Sequence, residues 1–282
     1  MIPSAQIERW LQEDLGHHDV TNQVPGRTKG VLLAKEDGVV AGLDAASAVF
    51  EYLDVECEIP VHEGDRIEAN QAVLEVSGRA RDVLRGERVA VNVVGHASGI
   101  ATRTRRAVER AESAISDRMD GGGSPGSSEG VRIAATRKTT PGLRGIEKRA
   151  VVAGGGDTHR LDLSHMVMIK DNHIAEMGLA GAISHFAQRV SFSTKIEVEV
   201  ERPDAGVEAA EAGADVVLFD NLSPAATERG VAMLPAETIA EASGGITLED
   251  VGEYATTGVD VISMGSLTHS ADSLDFSFQT GP

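Results

Sequence analysis

Cysteine, lysine and aromatic rings are all scarce in this chain. A single cysteine, Cys57, among 282 residues excludes an intrachain disulfide and fits a reducing, cytoplasmic compartment. Aromatic residues make up only 3% of the chain, so a core has to be assembled from Val, Ala, Leu and Ile, which a hydrophobic content of 41% allows. No run of about 18 apolar residues occurs, so no membrane span is expected. The opening MIPSAQIERWLQEDLG alternates polar and apolar residues as an amphipathic helix does, and it lacks the pattern of a signal peptide.

Positive charge is the next deficit. Forty-four acids face 26 bases, for a net charge of −18, which argues against nucleic-acid or anionic-membrane partners. Arginine outnumbers lysine 20 to 6, and with the acid excess this gives a halophile-like composition, in which a carboxylate-rich surface stays hydrated in concentrated salt. At about 1 M salt, surface pairs are screened within about 3 Å, so function there has to rely on close, desolvated contacts.

Against that background stands one basic island. Residues 131–174 hold eight Lys/Arg and four acids, a local charge of +4 that leaves −22 on the rest of the chain, and three of the six lysines lie within it. Cations gathered against the prevailing charge suggest a pocket for an anion with several negative charges. A solvated helical face around Glu147, Lys148 and Arg149 is the alternative for that part of the island.

In chain order, residues 4–15 read as a helix capped by Ser4, with Ile7, Trp10 and Leu11 on one face. His17 and His18 point to different sides and have no third ligand near them in sequence, which argues against a metal site. Residues 30–76 read as short strands around a helix at 44–53, with hairpin turns at 63–65 and 69–71. This portion is similar to biotinyl and lipoyl carrier domains, but no lysine occurs between residues 39 and 76, so it reads as scaffold. Two helices are expected at 82–96 and 98–113, broken at Ala97-Ser98-Gly99. Arg88 sits there amid Val89, Val91, Val93 and Val94, an apolar face suited to a partner chain. The low-complexity stretch 120–130 reads as a flexible loop.

Beyond that loop a βα rhythm sets in, with strands expected at 131–136, 166–170, 195–200, 215–220, 238–243 and 260–265. Strand–helix alternation implies a parallel sheet with right-handed crossovers, and the lack of a GxGxxG after the first strand favours a barrel short of the usual eight strands. Function in such barrels gathers at the carboxyl ends of the strands. Arg137 and Lys138 follow the first strand, Lys170 ends the second, Glu199 is near the end of the third and Asp220 ends the fourth. Ser243-Gly244-Gly245 ends the fifth strand, running into a helix expected at 247–256, and Gly265-Ser266 ends the sixth. A helix N-terminus after a glycine turn suits a phosphate. The two carboxylates could hold Mg²⁺ or sugar hydroxyls. Alternatively Glu199 is a structural ion pair with Lys170 or Lys138, and Asp220 caps the helix starting near Pro224. The ring as a whole suggests a phosphorylated sugar, a metal, and a second anion held by Arg137, His159, Arg160 and Lys170. Transfer at an activated sugar and an aldolase-like Schiff base on Lys170 both remain open.

TRKTTPGLRGIEKRAVVAGGGDTHR followed by LSHMVMIKDNHI closely resembles the quinolinate phosphoribosyltransferase family. EDLGHHDVT, GERVAVNVVGHASGIAT, IEVEVE, LFDN, EASGGI and MGSLTHS recur in the family's order, so the resemblance spans nearly the whole chain. It implies an N-terminal α/β sandwich-like domain at 1–103, with 271–282 packing on it. It implies an incomplete (β/α) barrel of about six to seven parallel strands at 104–270, the type II phosphoribosyltransferase fold. The implied reaction joins quinolinate to phosphoribosyl pyrophosphate, giving nicotinate mononucleotide, pyrophosphate and CO2 in NAD synthesis. Mg²⁺ would accompany the phosphoribosyl pyrophosphate, near Glu199 and Asp220, and no organic cofactor is needed. By match to the family motifs, Arg137, His159, Arg160 and Lys170 clasp the quinolinate carboxylates, and Arg88 reaches the site from the neighbouring subunit of a homodimer. Lys138, Glu199 and Asp220 handle the phosphoribosyl pyrophosphate, while Ser243, Gly244, Gly265 and His269 surround the 5′-phosphate, and Gly245 and Ser266 also bind substrate. Assembly beyond the dimer stays open. His18 stands where the family has glycine, and Thr158 where asparagine is common. The competing readings are a pyrophosphorylase-like protein associated with molybdenum transport, the Lys170 aldolase, and a non-catalytic binding or scaffold protein.

Overall fold

The structure is a computed structural model that describes residues 2–120 and 130–281; most of the loop expected at 120–130 lies outside the described residues. In chain order come α1 (Ser4–Leu15), β1 (Arg27–Ala34), β2 (Gly38–Val39), α2 (Leu43–Tyr52), β3 (Glu56–Glu58), β4 (Arg66–Ile67) and β5 (Ala72–Arg79). The 41-residue helix α3 (Ala80–Asp120) follows, then β6 (Arg132–Ala135) and α4 (Arg144–Ala153). The alternation continues as β7 (Val167–Ile169), α5 (Asp171–Met177), α6 (Leu179–Ala187), β8 (Ile196–Val200), α7 (Pro203–Glu211), β9 (Val216–Asp220) and α8 (Pro224–Val231). It ends with β10 (Ile239–Ser243), α9 (Val251–Ala255), β11 (Val261–Met264), α10 (Ser266–His269) and β12 (Phe276–Gly281).

The chain divides into two compact units, residues 1–105 with 141–155 and 271–282, and residues 106–140 with 156–270. Sequence alone assigns 141–155 to the barrel, whereas α4 belongs to the first unit. The first unit holds the antiparallel sheet β12-β1-β5-β3 and the small pair β2-β4. In β1 the inward residues Gly30, Leu32 and Ala34 alternate with more exposed ones, the period of a half-buried strand. Leu32, Phe50, Leu74, Val83, Val94 and Phe276 lie in its core. Ile7 and Leu11, four residues apart on α1, form a second cluster with Val49 and Val89.

Three expectations fail in this unit. Pro3, in extended conformation, is the N-cap of α1, and Ser4 is already helical. The turns at 63–65 and 69–71 exist, with positive φ at Gly64 and Asn70, but β4 between them pairs with β2 and the turns do not close hairpins. The break at residues 97–99 is absent because α3 runs straight through it. Ser98 and Gly99 serve lateral contacts instead. The Ser98 hydroxyl accepts from the Ala41 amide at 3.0 Å, and a Cβ on Gly99 would strike the Asp272 carbonyl. Small residues inside a helix therefore mark close approach here, as well they can.

The second unit is a six-stranded, all-parallel sheet in the order β6-β11-β10-β9-β8-β7. Each expected strand is present to within two residues, and a single parallel bridge between Ala134 and Asp157 extends the β6 edge. Parity sets the two faces. Val217 and Phe219 of β9 lie against Gly206 of α7, and Phe219 also meets Gly230 of α8, where a Cβ would come within 2.6 Å of its ring. Leu218 and Asp220 take the opposite face. Among the described residues no helix is long and apolar enough to cross a membrane.

Candidate active site

A cavity of about 660 Å³ opens at the carboxyl ends of the barrel strands. It is lined by Arg137 and Lys138 after β6, Lys170 after β7, Glu199 on β8, Asp220 on β9, Ser243 to Gly245 after β10, and Gly265, Ser266 and His269 after β11. His159 and Arg160 reach it because Asp157 is bridged to β6, which carries the following residues to the same end. Every expected barrel residue is therefore on one wall or another. Arg88 is not among them; it lies on α3 in the first unit, its side chain 59% exposed and 3.9 Å from Glu87.

Each side chain is held locally. Lys170 pairs with Glu199, so the structural ion pair considered from sequence is present. The Lys170 backbone N–H donates to His173 Nδ1 at 3.1 Å, fixing the start of α5 at the residue that carries the lysine. Asp220 is no helix cap: Ser223 caps α8, and Asp220 Oδ2 accepts from the Asn221 side-chain Nδ2 at 2.6 Å. Asn221 has φ +55, and its side chain fills the space where a Gly244 Cβ would go, so glycine is required at 244. Gly265 is packed closely too: a Cβ there would come within 3.0 Å of the Lys138 chain and 3.1 Å of the His269 ring. Thr268 Oγ1 donates to the Lys138 carbonyl at 2.7 Å. The helix expected at 247–256 shortens to the five-residue α9; residues 247–250 form the turn that leads into it, with Asp250 accepting from the Thr247 amide and hydroxyl and the Thr247 carbonyl accepting from the Val251 amide. Gly244 and Gly245, both at positive φ, thus lead into a turn and not a helix N-terminus.

The electrostatics explain what the cavity wants. The Arg137 Nε and the Ser266 hydroxyl are buried with no hydrogen-bond partner. Such groups are costly unless a ligand meets them. Burial and the neighbouring Arg137 push the Arg160 guanidinium down from its ordinary value, while Glu197 and Asp162 oppose that shift. Cations crowded closely enough to disfavour one another would be stabilised by an anion between them.

Beneath these cations lie two residues that sequence reading missed. Glu197 and Glu241 are fully buried, and with His159 their ligating atoms lie within 4.8 Å of one another. His159 Nε2 is 2.9 Å from Glu241 Oε2 and 3.7 Å from Glu197 Oε2. Burial, then the Glu241 charge, push the Glu197 carboxyl up to about 8, against the pull of His159 and Arg160. The signal was available. In a parallel strand buried on both faces, charged residues such as those of IEVEV and IAEAS are out of place unless they face a site.

On the other part of the island, Lys148 is buried and Glu147 lies 3.0 Å from His96, so the expected solvated face applies only to the exposed Arg149. These α4 residues belong to the first unit and do not line the cavity.

An incomplete parallel barrel with a polyanion pocket at its strand ends defines the type II phosphoribosyltransferase class. Residues 19–98 match the family model described as quinolinate phosphoribosyl transferase, N-terminal domain, and residues 100–279 match its C-terminal domain. The chain is 41% identical to the "Probable nicotinate-nucleotide pyrophosphorylase (carboxylating)" of Methanothermobacter thermautotrophicus, over 97% of each protein. It is 39% identical to the human nicotinate-nucleotide pyrophosphorylase (carboxylating), over 98% of this chain and 91% of the human protein. The crystal structure of NadC from Streptococcus pyogenes superposes with a TM-score of 0.87 at 37% identity, covering 99% of this chain and 96% of that one. The chain belongs to the quinolinate phosphoribosyltransferase family, and it is accordingly a pentosyltransferase.

Proposed function

We propose that the chain transfers the phosphoribosyl group of phosphoribosyl pyrophosphate to the ring nitrogen of quinolinate, releasing pyrophosphate and CO2 and leaving nicotinate mononucleotide. The observation that carries this is the convergence of Arg137, His159, Arg160 and Lys170 on one cavity, with the Arg137 Nε unmet. Paired cations suit the two adjacent carboxylates of quinolinate and orient its nitrogen, which needs position and no base. Departure of pyrophosphate builds positive charge on the anomeric carbon and negative charge on the leaving group. Lys138 would stabilise the latter, and Glu199 and Asp220 the oxocarbenium-like centre and ribose hydroxyls.

Glu199 and Asp220 offer hard oxygen donors on adjacent strands, a donor set that fits Mg²⁺ carried in by the diphosphate, directly or through water. When bound, the ion would neutralise the leaving charge. Ser243, Gly244, Gly245, Gly265, Ser266 and His269 would surround the 5′-phosphate; the unmet Ser266 hydroxyl is a ready donor for it. Lys170 is paired with Glu199, which favours a clasp over a Schiff base.

The exposed Arg88 supports a homodimer in which this arginine enters the partner's site. A reducing, cytoplasmic setting agrees with the free Cys57, and the acidic surface with salt adaptation.

Purified protein given Mg²⁺, quinolinate and phosphoribosyl pyrophosphate should form nicotinate mononucleotide. No product over a wide range of salt, with nicotinate accepted in its place, would overturn the substrate assignment. Mixed dimers of Arg88→Ala and Lys138→Ala chains should regain activity that neither variant has alone; stable mixed dimers without activity would count against a shared site.

A further inference from the structure

The reaction proposed above leaves one atom unaccounted for. When the C2 carboxylate departs as CO2, the electron pair of the broken C–C bond stays on C2, and a proton must be delivered there to complete the product. We propose that the proton comes from His159, held for this by Glu241, so that His159 is a catalytic acid as well as a carboxylate clasp and Glu241 its positioning residue. This rests on the quinolinate reading of the cavity.

Geometry carries the assignment. His159 and Glu241 both line the cavity, so the hydrogen bond of 2.9 Å between His159 Nε2 and Glu241 Oε2 borders the space where the ring is clasped. The His159 side chain is only 11% exposed and that of Glu241 1%, which keeps bulk water from the pair; with Nε2 on Glu241, the proton for C2 is carried by the other ring nitrogen, Nδ1. A second carboxylate oxygen, on Glu197, lies 3.7 Å from the same nitrogen. A carboxylate such as Glu241 is otherwise an odd choice in a pocket for a dianion, because its charge opposes binding. Its 2.9 Å contact with Nε2 holds the imidazole in place as a positioning partner would. His159 itself has φ +48, a conformation rare for residues other than glycine, and its amide donates to Asp157 Oδ1 at 2.7 Å. The backbone is thus turned to bring the ring over β10, where Glu241 waits.

The step balances as one event. As the C2–carboxylate bond breaks and CO2 leaves, the His159 Nδ1–H bond breaks and the C2–H bond forms, so slow proton transfer holds back CO2 release. The neutral imidazole then regains a proton from water before the next turnover, and no oxidant or reductant is involved.

Pyrophosphate release reports ribosyl transfer, whereas CO2 release and nicotinate mononucleotide report the later step, so a single-turnover quench experiment separates them. In Glu241→Gln, CO2 release should fall by roughly 10²-fold more than pyrophosphate release, as expected for loss of general-acid help. The dicarboxylate nucleotide should accumulate, detectable by mass. Glu241→Asp should recover part of the loss. Wild-type enzyme in D2O should show a slowed CO2 phase and an unchanged pyrophosphate phase, a test that needs no variant. If the two products fall together in Glu241→Gln, and D2O slows neither or both equally, His159 is not the acid. If wild-type enzyme releases no pyrophosphate with quinolinate at all, it is the functional reading that fails.

Discussion

The two parts of the basic island have opposite fates. On α4, Lys148 is buried and the neighbouring Glu147 meets His96 within the same unit, so charge there is consumed by the fold. At the barrel, Arg137, Lys138, Arg160 and Lys170 face one cavity, and the Arg137 Nε has no partner. A run of cations in sequence therefore identifies a region of unusual charge, and the part of it that can bind is the part where an unmet donor lies on a cavity wall.

Substitutions can sharpen that contrast. The largest effect is expected for Lys138→Ala, which should lower kcat by about 10³-fold through loss of leaving-group stabilisation. Arg149→Ala, on the exposed part of α4, should leave kcat/KM within about twofold, as surface changes usually do. A large loss in Arg149→Ala would erase the distinction between the two parts. Glu147→Gln should do the reverse of Lys138→Ala, costing about 2 kcal/mol of stability with KM for quinolinate unaltered, since it disturbs a buried hydrogen bond. Urea midpoints alongside initial rates decide this. Gly230→Ala should cost about 1–3 kcal/mol, because the added Cβ meets the Phe219 ring. An unchanged melting temperature would mean that the ring has room to retreat. The smallest effect concerns Cys57, whose thiol burial pushes up to about 11. At pH 8 its alkylation by iodoacetamide should be roughly 10²-fold slower than that of an ordinary free cysteine, and should quicken as the pH rises or the protein unfolds. Fast labelling of the native protein at pH 8 would refute the shift.

How much of this was legible beforehand follows physical lines. The six barrel strands were readable because runs such as DVVLFD and DVISMG are β-rich, short and bounded by turn residues. The cavity residues were readable because polar side chains at strand ends have few other reasons to be there. Ala97-Ser98-Gly99 misled because helix propensity weighs a glycine only against alanine; the contact with the Asp272 carbonyl comes from a segment 173 residues further along the chain. The helix at 247–256 starts later than expected because residues 247–250 are the turn that leads into it, Asp250 accepting from the Thr247 amide and hydroxyl while the Thr247 carbonyl takes the Val251 amide. Glu197 and Glu241 were overlooked because each sits inside an apolar strand whose pattern was satisfied without them. Whether they face a pocket depends on strand parity across three chain segments, which no single stretch reveals.

Phe219 and Asp220 are adjacent on β9, with the ring wedged between two glycine-bearing helices and the carboxylate in the cavity. A slip of one residue in that strand would drive the carboxylate into the helix layer and the ring into the cavity. The phenylalanine therefore works as an indexing pin: a large, correctly shaped side chain that lets the strand seat in one position only. Misassembled chains would be rejected by packing long before they could be tested by substrate, and the aim of the acid is thus guaranteed by its greasy neighbour.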